Sequence, residues 1–250
     1  MDISELSLAK QSLAMAKLAK AAYLPECAND FAHHGFDQDY KALNNRQTHG
    51  HIACNADSIC IAFKGTKAKM MRDYVIDADV WPNIEGNSWV HRGFKRRADL
   101  VISTIIDYVE RHPGKSIWIT GHSLGGALAL YTTCELESLG YGPIKLFTFG
   151  SPRTGNRDYC DLITSTHCRF VNCNDVIPKI PLSLIGYRHH GKLYYIDFYG
   201  QLQDLTTWQR AKDQFRARVH AWRKGRIFNI FYDHSMSEYI RKLSVLEDFN

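Results

Sequence analysis

Apolar and polar positions follow two rhythms along this chain, and the switches between them mark its elements. Near the N-terminus Leu6, Leu13, Ala14, Leu18, Ala21 and Ala22 recur mostly at three- and four-residue spacings, broken by Lys10, Lys17 and Lys20. That period predicts an amphipathic helix docked on a core. His51–Cys54 and Ser58–Phe63 are short runs of β-forming residues separated by Asn55-Ala56-Asp57, which predicts two strands and a turn. The helical period returns over Arg97–Arg111, with Leu100, Val101, Ile105, Ile106 and Val109 as its buried face and Pro113-Gly114 as its stop. A strand is expected at Ile117–Ile119 and a helix over Ala127–Leu139, closed by Gly140. Further on come a strand at Lys145–Phe149, a helix at Arg157–Thr164, a strand at Arg169–Cys173 and a last strand at Lys192–Phe198.

Strands alternating with helices imply βαβ units: an α/β fold with a mainly parallel central sheet and helices on both faces. In such sheets the chemistry collects at the carboxyl ends of the strands. The 250 residues fit one domain of this class, so residues 1–250 are read as a single unit carrying a basic helical insertion at about 201–230.

Composition narrows the field only slightly. Apolar residues make up 45% and charged residues 23%, and 31 Lys+Arg against 26 Asp+Glu leave +5. That excess is too small to imply nucleic acid as a partner. Asp2, Glu5 and the interrupting lysines are wrong for a secretory signal, and no run approaches the roughly 20 apolar residues of a membrane span. The seven cysteines form no C-x-x-C pair. Reduced, buried thiols and a cytoplasmic location are the expectation, with release by an unconventional route left open.

The chemistry is concentrated in Gly121-His122-Ser123-Leu124-Gly125, a G-x-S-x-G run with a strand before it and a helix after it. A serine on so sharp a turn exposes its hydroxyl and aims the free N–H groups of the helix at the reacting centre. Its neighbours two residues away must be nearly bare for the chain to pass, which Gly121 and Gly125 satisfy. Ser123 is therefore the candidate nucleophile.

Taken with the following Gly126-Ala127, this run resembles the nucleophile motif of the class 3 lipase family. Other segments resemble that family in the same order: Phe63-Lys64-Gly65-Thr66, where the family more often has arginine at the lysine; Asp73-Tyr74-Val75-Ile76-Asp77; Val90-His91-Arg92-Gly93-Phe94; Thr148 to Gly155; and Asn174-Asp175-Val176-Ile177-Pro178. The resemblance runs from about Ala16 to Tyr239. It implies an α/β-hydrolase fold, ester hydrolysis through an acyl-enzyme, and no metal or organic cofactor.

A serine nucleophile needs a base, and the base a carboxylate to hold its tautomer. In this fold the acid and then the histidine follow the serine. Among the aspartates after Ser123, Asp175 sits just beyond the end of an expected central strand, where the family has its triad acid. Chain order leaves His189, His190, His220 and His234 for the base. His189 and His190 enter the last strand from its amino end, and His220 lies in a basic, solvated segment. His234, in a stretch resembling the family's catalytic ending Asp-His-x-x-x-Tyr, is preferred, with His189 or His190 as alternatives. His122 should point away from the serine, and His91 reads as a packing residue.

For the oxyanion, one donor is expected from the backbone N–H of Leu124 and the other from Thr66. Residues 67–76 stand where the family carries its lid; Met70, Met71, Tyr74 and Val75 give them an apolar face, which fits a mobile lid or a fixed helix equally.

The insertion has its own pattern. Arg210, Lys212, Arg216, Arg218, Arg223, Lys224 and Arg226 outnumber Asp204 and Asp213, while Trp208, Phe215, Val219 and Trp222 recur near helical spacing. Docking to an anionic membrane surface is one reading. The plainer one is a solvated charged face with the aromatics tucked onto the domain.

Four functions remain in view: a lipase acting on lipid acyl esters, a phospholipase A-type enzyme acting on anionic phospholipids, an esterase of small soluble esters, and an idle lipid-binding or interaction protein.

Overall fold

The computed structural model describes residues 3–45, 47–66, 82–223 and 232–246. In chain order these form α1 (Leu8–Ala21), α2 (Ala28–His33), β1 (Gln38–Asn44), β2 (His49–Cys54), β3 (Ser58–Phe63), β4 (Pro82–Glu85), β5 (Ser88–His91), α3 (Arg92–Arg111), β6 (Ser116–His122), α4 (Leu124–Ser138), β7 (Ile144–Phe149), α5 (Arg157–Asp161), β8 (Thr166–Asn172), β9 (Lys192–Ile196), β10 (Leu202–Gln203), α6 (Thr207–Arg223) and α7 (Met236–Leu243). The main sheet runs β1-β2-β3-β6-β7-β8-β9-β10, and β4-β5 is a separate hairpin. From β3 to β9 every pairing is parallel, and the pairings at both edges are antiparallel.

Strand alternation assigns the two faces. Ile59, Ile61, Phe63, Ile117, Ile119 and Leu146 pack with α3 and α4. Cys60, Ala62, Trp118, Phe147, Phe149 and Phe170 pack with α1 and α7. β3 is buried at every position, which is why Ser-Ile-Cys-Ile-Ala-Phe reads as an unbroken run: a parallel strand covered on both faces has no wet side.

Several boundaries differ from the sequence expectation, each for a local reason. β6 continues through Gly121 to His122, and α4 starts at Leu124 rather than Ala127, so strand and helix meet at Ser123 alone. α3 begins at Arg92, not Arg97; Phe94 and Ala98 extend its buried stripe, while Leu100 lies outside that stripe and is exposed. The helix expected to reach Thr164 stops at Asp161, and beyond it Glu137 draws in the Thr164 N–H (3.1 Å) and hydroxyl (2.9 Å). Lys192–Phe198 is not the last strand: Asp197 Oδ1 accepts from the N–H groups of Tyr199 and Gln201, both at 2.9 Å, and turns the chain into β10. β1 went unread because it is an edge strand whose pattern is mostly exposed.

α6 overturns the tucked-aromatic reading. The residues it turns inward are Asp213 and Ala217: Asp213 accepts from the Tyr195 hydroxyl (3.0 Å) and the Phe198 N–H (3.0 Å), and Ala217 packs on Cys173 and Tyr195. At 100° per residue that places Trp208, Phe215 and Trp222 on the opposite side, where they are 69%, 70% and 65% exposed.

Candidate active site

Ser123 sits between β6 and α4 at φ 57°, ψ −128°, a conformation that costs a non-glycine residue of order 1–3 kcal/mol and persists only where its surroundings impose it. They do so here. Its N–H bonds the carbonyl of Phe149 and its carbonyl accepts from Gly126, both at 3.0 Å. A Cβ on Gly121 would lie 2.2 Å from the Gly125 carbonyl oxygen, and one on Gly125 2.3 Å from that of Phe63, so no side chain larger than hydrogen fits at either position. The second approach draws the end of β3 against the start of α4. At Gly65 a Cβ would stand 3.1 Å from Ser123 Cβ, and Thr66 is the next residue. Leu124 opens the helix, where the first N–H groups have no intrahelical acceptor. The structure thus brings Thr66, Ser123 and Leu124 together; the lid segment at 67–76 lies outside the described residues.

The candidate acid and base come from later segments of the chain. Asp175 follows β8 and is fully buried. His234 Nδ1 donates to both its oxygens at 2.9 and 2.8 Å, the Tyr239 hydroxyl to Oδ2 at 2.6 Å, and the Ile177 N–H to Oδ1 at 3.0 Å. With Nδ1 bound to a carboxylate, His234 presents Nε2 as the basic atom. Ser123 Oγ and His234 Nε2 are both buried and bond to none of the described residues.

The ring nitrogens of His122 reach Tyr23 and the backbone of His234. Its ring packs on that of His234 with centroids 4.4 Å apart, Nε2 lies 2.6 Å from the His234 carbonyl, and Nδ1 lies 2.7 Å from the Tyr23 hydroxyl. A carbonyl only accepts, so Nε2 carries the proton. Burial holds the imidazole well below its ordinary pKa, with the neighbouring His234 adding to the effect; it is therefore neutral and Nδ1 accepts from Tyr23. The Tyr23 phenol is raised by burial and stays a donor.

His189 and His190 are excluded as the base by their partners. His189 Nε2 donates to the Pro178 carbonyl at 2.8 Å; His190 contacts His167 at 3.1 Å and the Ile163 carbonyl at 3.1 Å. His220 is exposed on α6, and His91 is buried and stacked on Phe94.

Three supporting residues were not singled out from the sequence, and another, Tyr239, entered there only as the tyrosine that closes the stretch around His234. Tyr239 is buried, raised well above the ordinary phenol by burial and by the Asp175 charge, and accepts the Asn172 N–H at 3.0 Å while donating to Asp175. Asn172 donates to the carbonyl of Asp233 at 2.8 Å, fixing the residue before His234. The buried Lys242 donates to Asn172 Oδ1 at 2.6 Å. Tyr239 and Lys242 are three apart on α7 and so share its inward face; polar residues on the buried stripe of a C-terminal helix were the available signal. Gly150, at φ 59°, is the fourth: a Cβ there would lie 2.5 Å from Asp175 Oδ2 and 2.9 Å from His234 Nδ1.

Thr66 and His234 open into a mostly apolar cavity of about 810 Å³, walled by Ala21, Tyr23, Leu24, Met236 and Ile240, with Lys17, Lys20 and His33 also lining it. Among the described residues no group of three or more His, Cys, Asp or Glu is arranged to hold a metal ion.

The family model for Lipase (class 3) matches residues 60–184, a stretch that holds Thr66, Ser123, Leu124 and Asp175 and ends before His234. The chain is 31% identical over 169 residues to the secreted mono- and diacylglycerol lipase A of Penicillium cyclopium, covering 63% of this chain and 55% of that protein. It is 31% identical over 154 residues to a lipase of Rhizomucor miehei, covering 56% and 42%. The chain spans about half the length of these curated relatives. The crystal structure of a lipase from Rhizopus microsporus var. chinensis superposes with a TM-score of 0.64 at 25% identity, covering 75% of this chain and 74% of that one.

Proposed function

The chain belongs to the class 3 lipase family, and from that membership we propose that it is a serine ester hydrolase that cleaves acyl esters of lipids. The observation that carries the reading is the Asp175–His234 pair, bonded at 2.8 Å, set beside a serine held at positive φ and opening onto a mostly apolar cavity. A binding protein has no use for a serine strained at a sharp turn or for a buried imidazole oriented by a carboxylate.

In this mechanism Ser123 Oγ attacks the ester carbonyl as His234 Nε2 takes its proton. Asp175 keeps the tautomer and stabilises the imidazolium. The N–H groups of Leu124 and Thr66 hold the tetrahedral oxyanion, and losing one such donor costs about 2.7–4 kcal/mol. His234 returns the proton to the leaving alkoxide, and water resolves the acyl-enzyme by the same route.

The cavity walls favour an acyl chain over a small soluble ester. Lys17 and Lys20, which line the same cavity with Asp30 as the carboxylate among them, favour the phospholipase reading over neutral glycerides, because a net positive lining attracts a phosphate head group. Contact with a lipid surface belongs to the same proposal. The exposed Trp208, Phe215 and Trp222 of α6 are flanked by Lys212 and Arg216, the composition of a helix lying in an anionic interface. A reducing compartment is supported by seven buried, unbridged cysteines.

The test is hydrolysis of phosphatidylglycerol vesicles beside a triglyceride emulsion, each with wild type and Ser123→Ala. Phospholipid cleavage that vanishes in the variant establishes the phospholipase; triglyceride cleavage alone establishes a glyceride lipase. Failure on both substrates, together with no labelling by a fluorophosphonate, rejects the enzyme reading.

A further inference from the structure

Behind the Asp175 loop lies a second cleft, of about 400 Å³, floored by Arg169 and Val171 of β8 and by Leu193 and Tyr195 of β9. These face the same way because β8 and β9 pair Arg169 with Leu193 and Val171 with Tyr195. α6 contributes Arg210 and Gln214, and the loop after β8 contributes Lys179; Arg153 closes the cleft from the loop after β7.

Four cations thus meet in one small space, and they are not neutralised there. The Arg169 guanidinium is 9% exposed, and its Nε is buried without a hydrogen-bond partner among the described residues. Arg153 bonds the carbonyl oxygens of Lys179 and Pro181, Lys179 bonds Gln214 Oε1 at 2.8 Å, and Arg210 bonds the Thr207 hydroxyl at 3.3 Å; every one of these acceptors is neutral. Asp175 is the carboxylate of the lining, and it is already engaged by His234, Tyr239 and the Ile177 N–H. The cations also oppose one another. Burial, Arg153 and Arg210 all push the Arg169 pKa down, and burial and Arg218 lower that of Lys179 with Asp175 opposing them only in part. An arginine does not escape by losing its proton, and a buried charge without a counter-charge costs several kcal/mol. A cleft built this way is short of an anion.

We propose that the cleft between α6 and the β8–β9 face is a phosphate-binding site in which Arg169, Arg210, Arg153 and Lys179 take the oxygens of a phosphate group. Guanidinium forks suit this ligand because they donate two parallel bonds to a phosphate. The floor of Val171, Leu193 and Tyr195 leaves an apolar wall for a small organic substituent. Occupancy ties α6 to β8 and to the loop that carries Asp175. The site stands apart from the ester-hydrolase reading, since none of its four cations belongs to the proposed catalytic machinery.

The test is a titration of the full chain with inorganic phosphate at constant ionic strength, balanced with chloride and read by melting temperature and ³¹P line width. A saturating response is expected in wild type, and Arg210→Gln and Arg169→Gln each weaken affinity about tenfold or more, the cost of one charge-assisted bond. Arg157→Gln, on the exposed surface of α5, leaves it unchanged. Circular dichroism checks that Arg169→Gln folds; if it does not, Arg210→Gln, on the helix surface, decides alone. A response that fails to saturate, or that persists unaltered in Arg210→Gln, overturns the site. A second arm identifies the source of the phosphate, using Ser123→Ala protein on phosphatidylglycerol vesicles so that hydrolysis plays no part. Displacement by inorganic phosphate that is lost with Arg210→Gln assigns a lipid head group. Vesicle binding indifferent to phosphate, with the solution site intact, assigns free phosphate or a soluble phosphate ester.

Discussion

The two halves of the proposed active site are built in opposite ways. The nucleophile half is local: β6, Ser123 and α4 form one continuous stretch from Ser116 to Ser138, and its geometry is dictated by the bareness of Gly121 and Gly125. The base half is assembled from separated segments. Asp175 follows β8, His234 precedes α7, Tyr239 and Lys242 lie on α7, and His122 and Tyr23 brace His234 from behind. A local half depends on what the chain can pass through; an assembled half depends on hydrogen bonds that hold only while the layers stay packed. Disturbing the first should therefore affect rate, and disturbing the second both rate and stability.

The largest expected effect tests whether the halves act as one device. Ser123→Ala and His234→Ala should each lower kcat by about 10³-fold or more, and the double variant should be scarcely worse than either, because residues acting as a unit are not additive. Single-turnover rates on a lipid ester check this. Losses that multiply in the double variant would mean that the halves work independently.

Next in size is the response of stability to pH, which reaches the assembled half through His122. Burial lowers the pKa of both His122 and His167 well below 6.5, so the folded chain keeps them neutral while the unfolded chain protonates them. With the folded value depressed, their contribution is complete above about pH 6.5 and is lost as pH falls toward the folded values. The slope approaches about 1.4 kcal/mol per pH unit for each histidine. Urea midpoints between pH 8 and pH 5 should stay level at first and then fall. His167→Gln, remote from the triad on Thr148 and His190, should make the fall shallower. Stability that stays level to pH 5 would mean that these rings are not held neutral by burial.

The same division explains what was legible beforehand. The elbow could be read from spacing because a strained serine between two glycines is a local necessity. The central strands could be read because full burial leaves an apolar run in the sequence. Asp175 and His234 were reachable through chain order and resemblance, and Tyr239 as the tyrosine of the same ending, but Asn172 and Lys242 were not, since a lysine on a short helix looks alike whether it faces solvent or a buried polar partner. α6 failed for a related reason. Its period was visible, but its orientation was set by Asp213 meeting the Tyr195 hydroxyl and the Phe198 N–H, a tertiary bond with no trace in the helical repeat.

Tyr239→Phe sharpens the comparison at a single atom. The hydroxyl donates to Asp175 at 2.6 Å and accepts from the Asn172 N–H at 3.0 Å, so its removal leaves a buried carboxylate short of one donor and a buried N–H without its acceptor. A stability loss of about 1–3 kcal/mol is expected, with kcat falling roughly tenfold as Asp175 loses a fixed position, and KM little changed. Urea denaturation and steady-state kinetics on one preparation give both numbers. A stability loss without any change in kcat would make Tyr239 part of the scaffold alone.

Tyr23→Phe is the finest cut, because Tyr23 reaches the base only through another residue. His122 must give its Nε2 proton to the His234 carbonyl, which leaves Nδ1 a bare lone pair whose partner is the Tyr23 hydroxyl. Without that hydroxyl, Nδ1 becomes a buried acceptor with its bond removed, costing about 1–2 kcal/mol of stability. The bond to the His234 carbonyl survives and Asp175 still holds Nδ1 of the base, so kcat should fall by no more than about threefold, on the order of 0.7 kcal/mol. If Tyr23→Phe lowered kcat as far as Tyr239→Phe, the brace behind His234 would rank with the carboxylate in front of it, and the base half would extend through the core to the end of α1.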